Sequence, residues 1–204
     1  MSDPALPKCV LFDLGGVIID VDMGGVVAPF TAANIDTSEP EAWYRSGAAQ
    51  RFEIGQIGPA EFGEAIVGEL GLDCTAQQFL ERYEDIHKGQ FSGAPELLDR
   101  LSSHTHLACF SNTTELHWAW LCRNYQTDQR FKTCILSFEL GYRKPDAAAF
   151  LAAAGCLPFE PGDIVFFDDR PENVEGAKAA GFDAHLVYGP EPVAAILGLD
   201  WGMT

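Results

Sequence analysis

The chain alternates between short, wholly apolar runs and longer stretches in which apolar residues recur every three or four positions. The runs at Lys8 to Phe12, Thr105 to Phe110, Thr133 to Phe138, Asp163 to Phe167 and Asp183 to Val187 have the length of strands buried on both faces; a strand with one wet face would alternate with polar residues. Between the later runs, Thr114 to Asn124, Asp146 to Ala154 and Pro171 to Ala180 carry the spacing of amphipathic helices, and Gly181 supplies a stop after the third. Strand and helix in alternation predict a doubly wound α/β fold, a parallel sheet covered by helices on both faces.

The stretch from Asp13 to Ser111 breaks the rhythm, because a crossover between parallel strands needs only about 30 residues. The surplus reads as helices: Glu39 to Gln50, Pro59 to Leu70 after a Gly58-Pro59 start, and Thr75 to Lys88 with Thr75 and Gln78 placed as a capping box. The expected organisation is an α/β core of residues 1–20 and 91–204 with a helical cap, residues 21–90, inserted after the first strand. Helix Ala94 to Ser103 returns the chain to the core, and Gly24-Gly25 and Gln90 to Gly93 are the expected hinges.

Length and composition narrow the class. The 204 residues suffice for one core and a modest insertion, and 47% hydrophobic with 21% charged residues is a globular balance. Thirty acidic against 13 basic residues leave a formal charge of −17, which repels phosphate backbones and anionic membrane surfaces; no nucleic-acid or membrane partner is expected. The start of the chain has no basic-then-apolar leader, and the apolar runs are too short to span a bilayer, so a cytoplasmic location is expected. The six cysteines are scattered without a C-x-x-C pair or matching histidine spacing, which argues for small buried hydrophobes rather than zinc or disulfide chemistry.

In a doubly wound sheet, ligands bind at the carboxyl ends of the strands. Those ends here read Asp13-Leu14-Gly15-Gly16-Val17, Ser111-Asn112-Thr113, Arg143-Lys144-Pro145-Asp146 and Asp168-Asp169. Ser111 alone reads equally as a helix cap, and Lys144 alone as an ordinary surface lysine. Adjacent carboxylates after a buried apolar run are harder to explain structurally, because they repel. A divalent cation would organise such a set: Mg²⁺ takes oxygen ligands from one or two carboxylates, water and a substrate phosphate, with a lysine neutralising the phosphate beside it. An aspartate can then serve as nucleophile and form an aspartyl phosphate.

These four runs, in this order, resemble the motifs of the haloacid dehalogenase-like hydrolase superfamily, and most closely its bacterial sugar-phosphate phosphatases of the alpha-D-glucose-1-phosphate phosphatase kind. The resemblance implies Asp13 as nucleophile and metal ligand, with Gly15 lending a backbone carbonyl to the metal. It implies that Ser111 binds the transferring phosphoryl group, with Leu14, Gly15 and Asn112 beside it, and that Lys144 holds nucleophile and phosphate together. Asp168 and Asp169 match the acidic pair, one a direct Mg²⁺ ligand and the other acting through water or a hydrogen bond, with Asn173 orienting them.

Gly15 departs from the family, whose phosphatases usually carry there a second Asp that protonates the leaving group and later activates water. Asp20 and Asp22 are expected to lie beyond reach of that role. Substrate contacts are expected from Arg45 and Trp118, while Trp43, Tyr44, Arg51 and Phe52 form either a recognition surface or packing within the cap. The implied activity is Mg²⁺-dependent hydrolysis of a small phosphate monoester, such as a sugar phosphate, by a monomer or homodimer. The alternatives are a 2-haloacid dehalogenase, which needs no metal, and a binding or scaffold protein of the same fold.

Overall fold

The computed structural model describes residues 6–31 and 45–199. Five parallel strands, β1 (Cys9–Phe12), β4 (His106–Ser111), β5 (Thr133–Leu136), β6 (Ile164–Asp168) and β7 (Asp183–Leu186), form a sheet in the order β5-β4-β1-β6-β7, and β2 (Ile19–Val21) and β3 (His87–Gln90) form a separate antiparallel ribbon. β1 lies at the centre, with Val10 in register with Leu107 on one side and Val165 on the other. Successive side chains of a strand face opposite ways. Val10 and Phe12 pack on one face with Leu97, Leu101 and Leu107, while Cys9 and Leu11 pack on the other with Phe150, Ala153 and Phe166. Both faces are dry, which is why β1 reads in the sequence as an unbroken apolar run.

The sheet helices follow the predicted spacing closely. Glu115–Tyr125 is capped by Thr114, whose hydroxyl accepts from the His117 N–H, and Ala147–Gly155 and Pro171–Ala179 occupy the other two predicted stretches. The third apolar run is shorter as a strand than expected. It leaves the sheet after Leu136 because Ser137 is tied to Thr113 by two hydrogen bonds of 3.0 Å, and Ser137–Leu140 then form one helical turn.

Among the described residues, the segment between β2 and β3 carries three helices beyond a short first one: Gly47–Glu53, Pro59–Leu70 and Ala76–Tyr83. They share an apolar cluster of their own in which Phe52 stacks on Phe62 at 4.3 Å between ring centroids and Phe62 meets Tyr83 at 5.1 Å. The first of them corrects the expected Glu39 to Gln50 helix: Ser46 caps a helix that runs on to Glu53, and residues 39–44 lie outside the described residues, as do Trp43 and Tyr44. The expected Thr75 to Lys88 helix begins with the predicted capping box but ends at Tyr83. Its remainder is a 3-10 turn and β3, because His87–Gln90 pairs with Ile19–Val21, a long-range pairing that local periodicity does not encode. Gly24 and Gly25, expected as a hinge, lie in the short helix Met23–Val27, capped by Asp22. Among the described residues no helix is long and apolar enough to cross a membrane.

Candidate active site

The backbone of β1 continues past its last residue, with Asp13 N–H donating to Phe167 O at 2.8 Å, so the Asp13 carboxylate projects from the carboxyl end of the central strand. The chain then turns sharply. Leu14 O accepts from both Ile18 and Ile19 N–H, and Gly16 adopts φ +71. A Cβ at Gly16 would sit 2.2 Å from Asp169 Oδ2, so this glycine is required both by its backbone angle and by the close approach of a carboxylate. Gly16 O also accepts from Gly189 N–H at 2.8 Å, which fastens the turn to the loop after β7.

Lys144 is the centre of the arrangement. Its side chain is wholly buried, and Nζ donates to Phe110 O at 2.8 Å and Asp168 Oδ2 at 2.7 Å and stands 3.0 Å from Asp13 Oδ1. An ammonium has three protons, and these three oxygens use them. Burial alone would lower the affinity of Lys144 for its proton; the two carboxylates reverse this and hold its pKa above the ordinary value. Its backbone is held in turn by Asn112, whose Oδ1 accepts from Lys144 N–H at 2.9 Å while Nδ2 donates to Lys144 O at 2.8 Å. Asn112 therefore places the lysine, and it also lines the cavity, where it was expected to meet substrate.

The adjacent aspartates are not equivalent. Asp168 is fully buried, and its two oxygens accept from Arg170 N–H at 2.9 Å, from Asn173 Nδ2 at 2.9 and 3.1 Å and from Lys144. Asp169 instead lines the cavity in front of Asp13. Asp13, Asp168 and Asp169 each offer an oxygen within 4.8 Å of the others. Burial first, then repulsion from Asp168 and Asp169, raises Asp13 to about 7 against the pull of Lys144. Asp169 is raised to about 6 by burial and by Asp168. Three carboxylates facing one ammonium leave excess negative charge, and a hard dication with oxygen ligands fits that donor set.

A cavity of about 130 Å³ opens over these groups. Asp13, Leu14, Gly15, Ser111, Lys144 and Asp169 contribute to it from the strand ends, as do Asn112 and Asn173. The Leu14 N–H is already given to Asp13 Oδ1 at 2.8 Å. Two expected substrate contacts are absent from the lining: Arg45 is exposed elsewhere, and Trp118 packs into the apolar cluster over the sheet. The helix that carries Trp118 turns Thr114, His117 and Leu121 to the cavity, and position 118 lies about 100° round from 117. Of the recognition candidates, Phe52 is core and Arg51 pairs with Glu61 at 3.3 Å. Asp20 is absent from the lining, and Asp22 caps the Met23–Val27 helix and pairs with Lys88 at 3.3 Å.

The sequence reading missed the opposite wall, to which Glu53, Tyr83, His87 and His117 contribute. His117 Nε2 lies 2.8 Å from Tyr83 O, which only accepts, so Nε2 carries a proton. Burial lowers His117 to about 3 and His87 to about 4. At Gly15 a Cβ would meet only Val21, at 3.5 and 4.0 Å, so that position has ordinary room for a side chain.

The chain belongs to the haloacid dehalogenase-like hydrolase family, whose pattern matches residues 7–181. It is 26% identical over 206 residues to D-ribitol-5-phosphate phosphatase of Bacteroides thetaiotaomicron, covering 95% of this chain and 94% of the relative. It is 28% identical to phosphoglycolate phosphatase 1 of Pseudomonas aeruginosa, covering 90% of this chain and 71% of that one. Its fold superposes with a TM-score of 0.75 on a family enzyme from Bacteroides thetaiotaomicron in complex with magnesium and inorganic phosphate, at 26% identity over 88% of this chain and 93% of the other. The L-2-haloacid dehalogenase of Xanthobacter autotrophicus shares the fold at 21% identity and a TM-score of 0.64, over 89% of this chain and 78% of that chain.

Proposed function

We propose that this hydrolase is a Mg²⁺-dependent phosphatase of small phosphate monoesters, sugar or sugar-alcohol phosphates in particular, working through an aspartyl phosphate on Asp13. The observation that carries the reading is Lys144, buried between Asp13 and Asp168 with Asp169 converging from the adjacent position. Asp13, Asp169 and the Gly15 carbonyl would hold the ion, while Asp168 positions Lys144 and the turn at Arg170. Bound Mg²⁺ supplies the positive charge that keeps both carboxylates ionised and screens the phosphoryl oxygens.

Ser111 receives a phosphoryl oxygen, and Lys144, together with the bound ion, would keep Asp13 anionic and aimed. A carboxylate oxygen of Asp13 attacks phosphorus as the bond to the ester oxygen breaks, and water then cleaves the acyl phosphate. With glycine at position 15, the leaving oxygen departs without a carboxylic acid beside it, which favours anomeric and aryl phosphates whose leaving groups are more acidic. Residues 21–90 act as the cap that shields this chemistry from bulk water. A cytoplasmic setting suits the six free thiols.

A dehalogenase or a scaffold has no use for a third converging carboxylate. The test is turnover of aryl, sugar and sugar-alcohol phosphates, alongside a 2-haloacid, with Mg²⁺ or chelator. Phosphate release abolished by chelator is expected; chelator-insensitive turnover, or halide release alone, overturns the reading.

A further inference from the structure

Among the described residues, the wall of the cavity facing the strand ends contains one acidic side chain, Glu53, at the end of the Gly47–Glu53 helix. It is 7% exposed, and its Oε2 accepts from Arg143 Nη1 at 2.6 Å. Arg143 immediately precedes Lys144, so the residue paired with Glu53 and the residue paired with Asp13 are consecutive on one loop. The approach is fixed from behind as well. Gly55, at φ +70, comes so near the Ser137–Leu140 turn that a Cβ would lie 2.3 Å from Phe138 O. Tyr83, buried beside Glu53, has its hydroxyl hydrogen-bonded to Thr114.

This wall has a distinct charge character. His87 and His117 are neutral at pH 7, and of the Glu53–Arg143 pair it is the carboxylate, not the guanidinium, that lines the cavity. Among the described residues lining the cavity, the cations Lys144 and Arg170 come from the strand-end side. Whatever leaves with the ester oxygen therefore faces a carboxylate and hydroxyl groups. A carboxylate accepts hydrogen bonds and donates none. In a partly desolvated cavity it attracts hydroxyl donors and repels a second carboxylate more strongly than it would in water.

We propose that Glu53 is a specificity-determining residue that selects a neutral, polyhydroxylated leaving group and rejects one carrying a carboxylate. The inference rests on the phosphatase reading above. It separates two chemistries represented among the relatives, sugar-alcohol phosphates and phosphoglycolate. Arg143 is the tuning partner: while paired it limits the negative charge of Glu53 without making the wall cationic.

The experiment measures kcat/KM of the Mg²⁺-loaded protein for D-ribitol 5-phosphate, phosphoglycolate and p-nitrophenyl phosphate. Wild type is expected to prefer the polyol ester over phosphoglycolate by at least about tenfold, the effect of roughly one pKa unit of differential interaction. Glu53→Gln, which leaves Arg143 cationic, lowers that ratio; Arg143→Gln, which removes a positive charge from beside Glu53, raises it. A purely structural bridge would give both variants the same direction of change across all three esters. Ribitol and glycolate tested as competitive inhibitors of wild-type aryl phosphate turnover give the same discrimination if either variant fails to fold. No turnover of any ester overturns the phosphatase reading itself. Aryl turnover with no preference in wild type, or with a ratio that Glu53→Gln leaves unchanged, overturns only the role of Glu53.

Discussion

The two sides of the cavity are built by opposite means. On the strand-end side, Asp13, Ser111 and Asp168 directly end or follow adjacent strands β1, β4 and β6, and Lys144 ties the three strands together through Asp13, the Phe110 carbonyl and Asp168. On the opposite side, Glu53, Tyr83 and His87 arrive from separate elements of the inserted segment, and their placement depends on helix packing and on the β2–β3 ribbon. The first side is positioned by the sheet, the second by packing within the inserted segment. On the function proposed above, this division assigns chemistry to one side and selection to the other.

Asp13→Asn is the strongest challenge to this division. It removes the proposed nucleophile and should reduce kcat by roughly 10⁴-fold or more for every ester alike, with an unchanged circular dichroism spectrum. A loss confined to some esters would place selection on the strand-end side too. Lys144→Met should follow, leaving Asp13 and Asp168 without their shared cation and costing about 3–5 kcal/mol in denaturant unfolding. Retention of full stability would show that the carboxylates do not depend on the lysine.

Acid sharpens the contrast, because the two sides respond with opposite sign. The folded state keeps His117 neutral down to about pH 3, whereas an unfolded histidine gains its proton near pH 6.5. The unfolded chain thus binds more protons in that window, and stability falls as the pH drops through it, by about 1.4 kcal/mol per pH unit for this group. Asp13 and Asp169, raised to about 7 and about 6, take up protons in the folded state first and oppose the loss. Urea midpoints at pH 7 and pH 5 should therefore fall further for wild type than for His117→Gln. An equal fall in both would show that the His117 ring is not held neutral.

The smallest change expected is from Gly15→Asp, which meets only Val21. It should fold normally and raise turnover of alkyl relative to aryl phosphates by a few-fold, about 1 kcal/mol at the transition state. A ratio that does not move would mean that leaving-group protonation does not limit the wild type.

The sequence revealed the strand-end side because its residues are local to strands whose apolar runs announce themselves. The position of Asp13 after Phe12, or of Asp168 after Phe167, needs no knowledge of the rest of the molecule. Asn112 was placed in the right neighbourhood, but its clamp on Lys144 was not legible, since it joins two loops that only the folded sheet brings together. Trp118 and His117 differ by one helical position, and sequence spacing alone did not say which would face the cavity. β3 was hidden because His87-Lys88-Gly89-Gln90 has little apolar pattern and forms a strand only against Ile19–Val21. The Gly16 requirement was not read from the sequence, because the carboxylate of Asp169 pressed against it comes from a distant strand end.

The β2–β3 ribbon bears on how such a chain can change over time. Hydrogen bonds from Asp22 N–H to Ile86 O and from Phe91 N–H to Ile18 O extend it at both ends, so the two connections to the inserted segment run side by side. To the sheet, everything between them is a closed loop whose ends are already joined, and the entropy of such a loop grows only slowly with its length. Helices can be lengthened, shortened or exchanged there while β1 and β4 keep their pairing. The seam is a natural graft point, where one reaction centre can acquire a new selectivity by replacement of a single contiguous stretch of chain.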